Sequence, residues 1–282
     1  MTRFPACRVS RRRLRKQDAP VDAEIKILSQ DYCVVTVCDW SRNDRTSDRE
    51  RETVSTQILD KIRLSDFDSE YCFYEDEIGS DILLIIFAYI NQPLSIKSHY
   101  HYLSGLRCSK LFLNSGRNDW YQAGVPSVAG SFSELLDFCK RLSDEEPERR
   151  LLFLGHSMGG FAAIGAGLAV GHARVLASVP EIELLQPGSM SLRHMQPRKP
   201  TYPSLIEMLA QNRTTAIEAI LGDKDPYDVA VAERLGEMPN TDVIMVPSDH
   251  GVFWHLKEQG TLRPTLAAFV AGNSVRSIVS PS

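Results

Sequence analysis

The sequence predicts an α/β fold: a mostly parallel, doubly wound sheet with helices on both faces and a loop or small cap over one edge. Three observations carry this. Residues 81–90 and 151–154 are near-continuous apolar runs, which suit strands covered on both faces. Such runs alternate with segments of helical period, so successive strands are joined by crossovers. One of them enters Gly155-His156-Ser157-Met158-Gly159, and a small-residue helix follows from Gly160, giving strand, sharp turn and helix.

Composition narrows the class. A chain of 282 residues with 43% hydrophobic and 24% charged content is that of a folded globular protein. Its net charge of −4 is uneven, because residues 1–20 hold seven Arg or Lys against Asp18 alone and leave −10 on the rest. Nucleic acid is therefore not the expected partner of the folded domain. No secretory h-region opens the sequence and no apolar run nears the roughly 18 residues of a membrane span. No transmembrane segment is expected, and the cytoplasm is the expected location. The six cysteines are scattered without metal-ligand spacing and read as buried or free thiols.

Taken in order, residues 1–22 read as a disordered basic tail, with Arg11, Arg12, Arg13, Arg15 and Lys16 at its centre. Residues 23–272 are expected to form one domain, of which 23–80 supplies N-terminal strands and a loop. Val34, Val35, Thr36 and Val37 mark a strand over 32–40. Residues 41–52 are charged and read as a solvated loop, and 54–64 as a short helix. Strands follow at 71–74, 81–90 and 110–113, the last entering the turn-rich stretch 114–121. Helical spacing of Phe132, Leu135, Leu136, Cys139 and Leu142 predicts a helix over 131–142. After 151–154 comes a helix containing Gly160, Gly165, Gly167 and Gly171, each costing about 1 kcal/mol against alanine in a helix interior. Close packing on the sheet would offset them. A strand at 175–179 precedes the cap-like segment 184–212, whose end (203–212) reads as a helix. Strands at 216–221 and 243–246 flank a helix at 227–235. A single helix over 252–271 closes the domain, leaving 273–282 flexible.

The chemistry is expected at the carboxyl ends of these strands, where ligands of such sheets bind. Ser157 is the candidate nucleophile, and a serine needs a base with a carboxylate to orient it. In a sheet of this type the order is serine, acid, histidine, and the chain supplies Ser157, then Asp223 and Asp225, then His250. His250 follows the last strand and is preferred to His255, whose Cβ is committed to a helix. Asp225 lies further round its loop than Asp223, which is placed to cap the next helix, so Asp225 is the expected acid. Met158 N–H is the natural first oxyanion donor, and backbone N–H of Tyr89 or Ile90 the second. His156, beside the nucleophile, is read as a structural neighbour that lines the substrate site rather than a participant in the chemistry. His99-x-His101 lacks further metal ligands, and no glycine-rich phosphate loop or dinucleotide fingerprint is present, so neither a metal nor a cofactor is expected.

With these residues in hand, the sequence resembles the α/β-hydrolase superfamily, and within it a bacterial branch of serine-hydrolase-like proteins associated with surface-polysaccharide gene clusters. The resemblance spans roughly residues 82–262. It rests on Leu111-Phe112-Leu113-Asn114 with Trp120-Tyr121 and Gly124, on residues 155–163, on Pro180-Glu181 with Pro187-Gly188-Ser189, and on His250-Gly251-Val252. Asn114-Ser115 departs from the aspartate common after that strand. The resemblance implies an esterase or deacylase acting through Ser157, Asp225 and His250 on a small-molecule or saccharide acyl ester, with Trp120 and Tyr121 lining the approach or packing as core aromatics. Transfer of the acyl group to a sugar hydroxyl is the alternative reaction. A non-catalytic binding protein is the alternative class.

Overall fold

Strand pairing decides what the apolar runs left open. The computed structural model describes residues 21–29, 32–39, 57–60 and 62–280. In place of the single domain expected over 23–272, the chain divides into two compact units, Met1–Ile62 and Arg63–Ser282. The expectations for residues 1–20 and 41–52 lie outside the described residues.

The first unit holds a three-stranded antiparallel sheet, β1 (Val21–Ser29), β2 (Tyr32–Asp39) and β3 (Gln57–Asp60), in that order. The basic tail expected through residue 22 therefore gives way to a strand at Val21. β3 also corrects the helix expected over 54–64: residues 57–60 pair with β2, Tyr32 opposite Asp60 and Val35 opposite Gln57.

The second unit is built on a seven-stranded sheet. In chain order its elements begin with a 3-10 turn at Leu64–Phe67, β4 (Cys72–Glu75), β5 (Ile82–Phe87), α1 (Tyr100–Leu103), β6 (Ser109–Leu113) and α2 (Phe132–Glu145). They continue with β7 (Arg150–His156), α3 (Met158–Val170), β8 (Arg174–Ser178), α4 (Met190–His194) and α5 (Ile206–Gln211). The last are β9 (Ala216–Gly222), α6 (Pro226–Gly236), β10 (Thr241–Val246), α7 (Val252–Glu258), α8 (Leu262–Val270) and α9 (Arg276–Val279). The strand order is β10-β9-β8-β7-β5-β6-β4, parallel except for β4 against β6. β5 lies between β6 and β7, so the order reverses there and opens a crevice at the carboxyl ends of β5 and β7.

Alternate residues of the strands face two helical layers. Leu84, Leu152, Leu154, Leu176 and Ile220 share one core with α1, α7 and α8. On the opposite face α3 lies close to the sheet and to α2, as its glycines require: a Cβ at Gly167 would come 2.3 Å from Val175 Cγ2 on β8, and one at Gly165 2.7 Å from Phe132 Cζ on α2. Gly171 lies beyond the helix as its left-handed C-cap, φ 84°. Ser131 caps α2 by accepting from Glu134 N.

Two further expectations are corrected at the C-terminal end. The helix expected over 252–271 is two, α7 and α8, because Gly260 takes φ 71° between them. Residues 273–282, expected to be flexible, contain α9, with Val275 and Val279 buried in the core. Buried Glu218 on β9 accepts from Val275 N at 2.8 Å and pairs with Arg174 at 2.9 Å. Arg174 also donates to the carbonyls of Phe269 and Asn273, and Arg276 pairs with Asp242.

Candidate active site

Ser157 sits where β7 turns into α3, with φ 52° and ψ −115°, a conformation few non-glycine residues adopt. The turn is possible because both flanking glycines lack a side chain. A Cβ at Gly155 would lie 2.0 Å from Gly159 O, and one at Gly159 2.5 Å from Phe87 O. The second figure also shows how closely the turn rests on the end of β5. Ser157 N donates to Ser178 O at 2.8 Å, fixing the turn to β8 as well.

His250 reaches the same point from the loop after β10. That loop rides on Gly222, where a Cβ would meet Ser248 O at 2.3 Å and Asp249 O at 2.4 Å. His250 Nε2 lies 2.9 Å from Ser157 Oγ, and Nδ1 lies 3.0 and 3.1 Å from the two carboxylate oxygens of Asp228. A carboxylate only accepts, so Nδ1 carries the proton and Nε2 is free to accept from the serine hydroxyl. Asp228 is fully buried and Ser157 only 1% exposed. His255 lies on α7, and the hydrogen-bond partner of Ser157 Oγ is His250.

The expected acid is corrected. Asp225 is the N-cap of α6, its carboxylate accepting from Tyr227 N at 2.8 Å ahead of Pro226. The capping role assigned to Asp223 thus belongs to Asp225. Asp228 is three residues on, in the first turn, and it is this carboxylate that meets His250. In a helix Cα–Cβ bonds tilt towards the N-terminus, so a first-turn side chain reaches back over the preceding loop. Ligand atoms of Asp225, Asp228 and His250 lie within 4.8 Å of one another, a spacing that would admit a cation, although each already has a hydrogen-bond partner here. His99 and His101 join no such group among the described residues.

The oxyanion donors expected from sequence follow the ends of β7 and β5, which flank the crevice. Met158 is the first residue of α3, so its N–H has no helical acceptor. Beyond β5, Ala88 N is taken by Leu113 O and Asn91 N by Asn118 Oδ1, whereas neither Tyr89 nor Ile90 spends its N–H on an acceptor in the described residues. Trp120 and Tyr121 are both fully buried, and both take positive φ. Tyr121 is a core residue rather than a wall of the approach, because its hydroxyl lies 3.0 Å from the carbonyls of both Ala88 and Leu113.

His156 is half-buried, its Nδ1 3.1 Å from Ser178 Oγ and its ring stacked on Phe253 at 5.4 Å. Tyr89 and His99 complete this group of rings beside His250. Sequence reasoning missed Phe253 and gave His99 no role at the site; their signal is tertiary only. Burial holds His156 well below the usual histidine range, with the charges of His250 and His99 adding to it. Burial also lowers His99 to about 4. An unfolded chain takes up a proton on such a residue below about 6.5, whereas the folded one does so only near 4, so stability is lost as pH falls through that window. Replacing His99 with phenylalanine is expected to flatten the fall in urea midpoint between pH 6.5 and 4.

With that geometry established, the chain can be set beside known proteins. It is similar to a hydrolase from Oleispira antarctica (TM-score 0.51, 11% identity, 75% of this chain and 98% of that one). It is similar also to MenH from S. aureus (TM-score 0.50, 10% identity, 72% and 98%). A third similar structure is the capsule O-acetyltransferase of Neisseria meningitidis serogroup A (TM-score 0.50, 13% identity, 73% and 99%). No family model matches the chain, and no curated protein matches it in sequence. The fold is that of the α/β-hydrolases. No helix among the described residues is long and apolar enough to cross a membrane.

Proposed function

We propose that the protein is a serine hydrolase that cleaves a carboxylic ester through an acyl-enzyme. The observation that supports this best is the 2.9 Å approach of His250 Nε2 to Ser157 Oγ, with Asp228 on the opposite ring nitrogen. His250 takes the hydroxyl proton as Ser157 Oγ attacks the acyl carbon. Asp228 holds the required tautomer and stabilises the imidazolium that forms. Charge collecting on the carbonyl oxygen is met by Met158 N–H and by Tyr89 or Ile90 N–H. Collapse expels the alcohol, which takes the proton back from His250. Water then repeats the sequence and releases the acid.

A fluorophosphonate probe tests this directly. Wild-type protein is expected to gain one adduct, located by mass spectrometry on the peptide containing Ser157, and Ser157→Ala is expected to gain none. Equal labelling of the two would defeat the reading. A second reading, in which a sugar or other hydroxyl acceptor replaces water, is supported by the likeness to the capsule O-acetyltransferase. Product analysis with and without a polyol acceptor separates transfer from hydrolysis.

A further inference from the structure

His156 ends β7 and immediately precedes Ser157. Its ring centre lies 5.9 Å from that of His250, 5.9 Å from that of Tyr89 and 5.4 Å from that of Phe253. Packing explains a ring at this place, since Phe253 stacks on it at 24°. It does not explain a histidine, because phenylalanine would stack as well. What phenylalanine lacks is a nitrogen for Ser178 Oγ, which is fully buried and meets no other polar group among the described residues.

That contact decides the tautomer. A buried hydroxyl proton without an acceptor is costly, and Ser178 avoids the cost by donating to His156 Nδ1 at 3.1 Å. The reverse arrangement, with Nδ1–H donating to Ser178 Oγ, would strand the hydroxyl proton. The ring is neutral, because burial, with the charges of His250 and His99, holds it well below the usual histidine range. A neutral imidazole that accepts at Nδ1 carries its proton on Nε2. His156 Nε2 has no hydrogen-bond partner among the described residues. Nor is it one of the buried atoms there that lack a partner, which are His99 Nε2, Trp120 Nε1, Arg149 Nε and Glu181 Oε2. An N–H neither paired nor buried, on a half-buried ring beside the nucleophile, opens onto the crevice.

We infer that His156 is a specificity-determining residue, whose Nε2–H donates to an acceptor oxygen in the alcohol part of the substrate. This rests on the serine-hydrolase reading above and adds a contact to it. The alcohol side follows from His250, which must reach the leaving oxygen to return its proton. With the two imidazole rings 5.9 Å apart, an oxygen two carbons further along the alcohol comes to His156. An ether, hydroxyl or carbonyl oxygen serves equally, whereas an alkyl chain leaves the N–H unpaired. Neutrality suits the position. His250 becomes an imidazolium during turnover, and a second cation beside it would oppose that charge, while a neutral donor does not.

Methoxyethyl acetate and butyl acetate test it, being equal in length with an ether oxygen in place of one methylene. After correction for their relative rates in hydroxide, wild type is expected to favour the ether ester by about tenfold in kcat/KM, the worth of one neutral hydrogen bond. His156→Phe keeps the stack on Phe253 without the N–H, and is expected to bring the ratio to about one. His156→Gln, whose amide restores a donor, is expected to keep a preference of several-fold. A ratio of one in wild type, or a folded His156→Phe protein that keeps the full preference, overturns the inference. The tautomer has its own readout in nitrogen-15 spectra of histidine-labelled protein, with the His156 signals identified by their absence from His156→Gln. Nδ1 is expected bare and Nε2 protonated at neutral pH. A proton on Nδ1 overturns the inference too, even if His156→Phe fails to fold. If the fluorophosphonate labels Ser157 while the ester ratio is one, the His156 contact is wrong and the nucleophile stands. If nothing labels, both fall.

Discussion

Asp228→Asn is expected to lower kcat for a simple ester such as p-nitrophenyl acetate by about ten-thousandfold, while leaving the fold intact. An amide in that position can donate to Nδ1, which favours the tautomer with its proton on Nε2 and leaves Ser157 without an acceptor. The neighbouring Asp225→Asn separates this role from mere proximity. Asp225 already accepts from Tyr227 N, and asparagine caps a helix about as well as aspartate. That variant should keep turnover within a few-fold and lose well under about 1 kcal/mol of stability. Turnover falling as far in Asp225→Asn as in Asp228→Asn would move the carboxylate back to 225.

Gly155→Ala is expected to cost more than about 4 kcal/mol, the range reached only when a specific feature of the fold is broken. The added Cβ would run into the Gly159–Gly160 peptide, 2.0 Å from Gly159 O, 2.2 Å from its carbon and 2.6 Å from Gly160 N. No rotamer change relieves backbone. Gly236→Ala, at the end of α6 with nothing within 4 Å, is the control. It should raise stability by about 0.4–1 kcal/mol, because alanine narrows the unfolded ensemble without strain. Thermal denaturation of the two variants beside wild type reads both effects, and a Gly155→Ala protein that melts like wild type would sink the account of the turn.

The parallel sheet was legible because its central strands are apolar without alternation, as 81–90 and 151–154 show, and because glycines marked the Ser157 turn. What escaped was of two kinds. One was a local signal passed over: Val21, Ala23, Ile25 and Ile27 alternate with Asp22, Glu24 and Lys26, the period of a strand, and β1 is there. Similarly, Pro226 is a first-turn proline, so the residue before it is the N-cap, and that reading alone would have released Asp225 from the site and pointed to Asp228. The other kind has no local signal. Residues 57–60 become a strand by pairing with β2, and the meeting of Phe253, His99 and His156 depends on how α7 and the loop after β5 converge on one edge.

The anchoring of α9 fixes which way round the protein can be held. Arg174, Glu218 and Asp242 stand at or near the first residues of β8, β9 and β10, so α9 is bolted to the rim of the sheet opposite Ser157. A six-residue strand separates the two rims by about 20 Å. An affinity handle or surface linker attached beyond Ser280 would therefore pull on the edge of the seven-stranded sheet opposite Ser157.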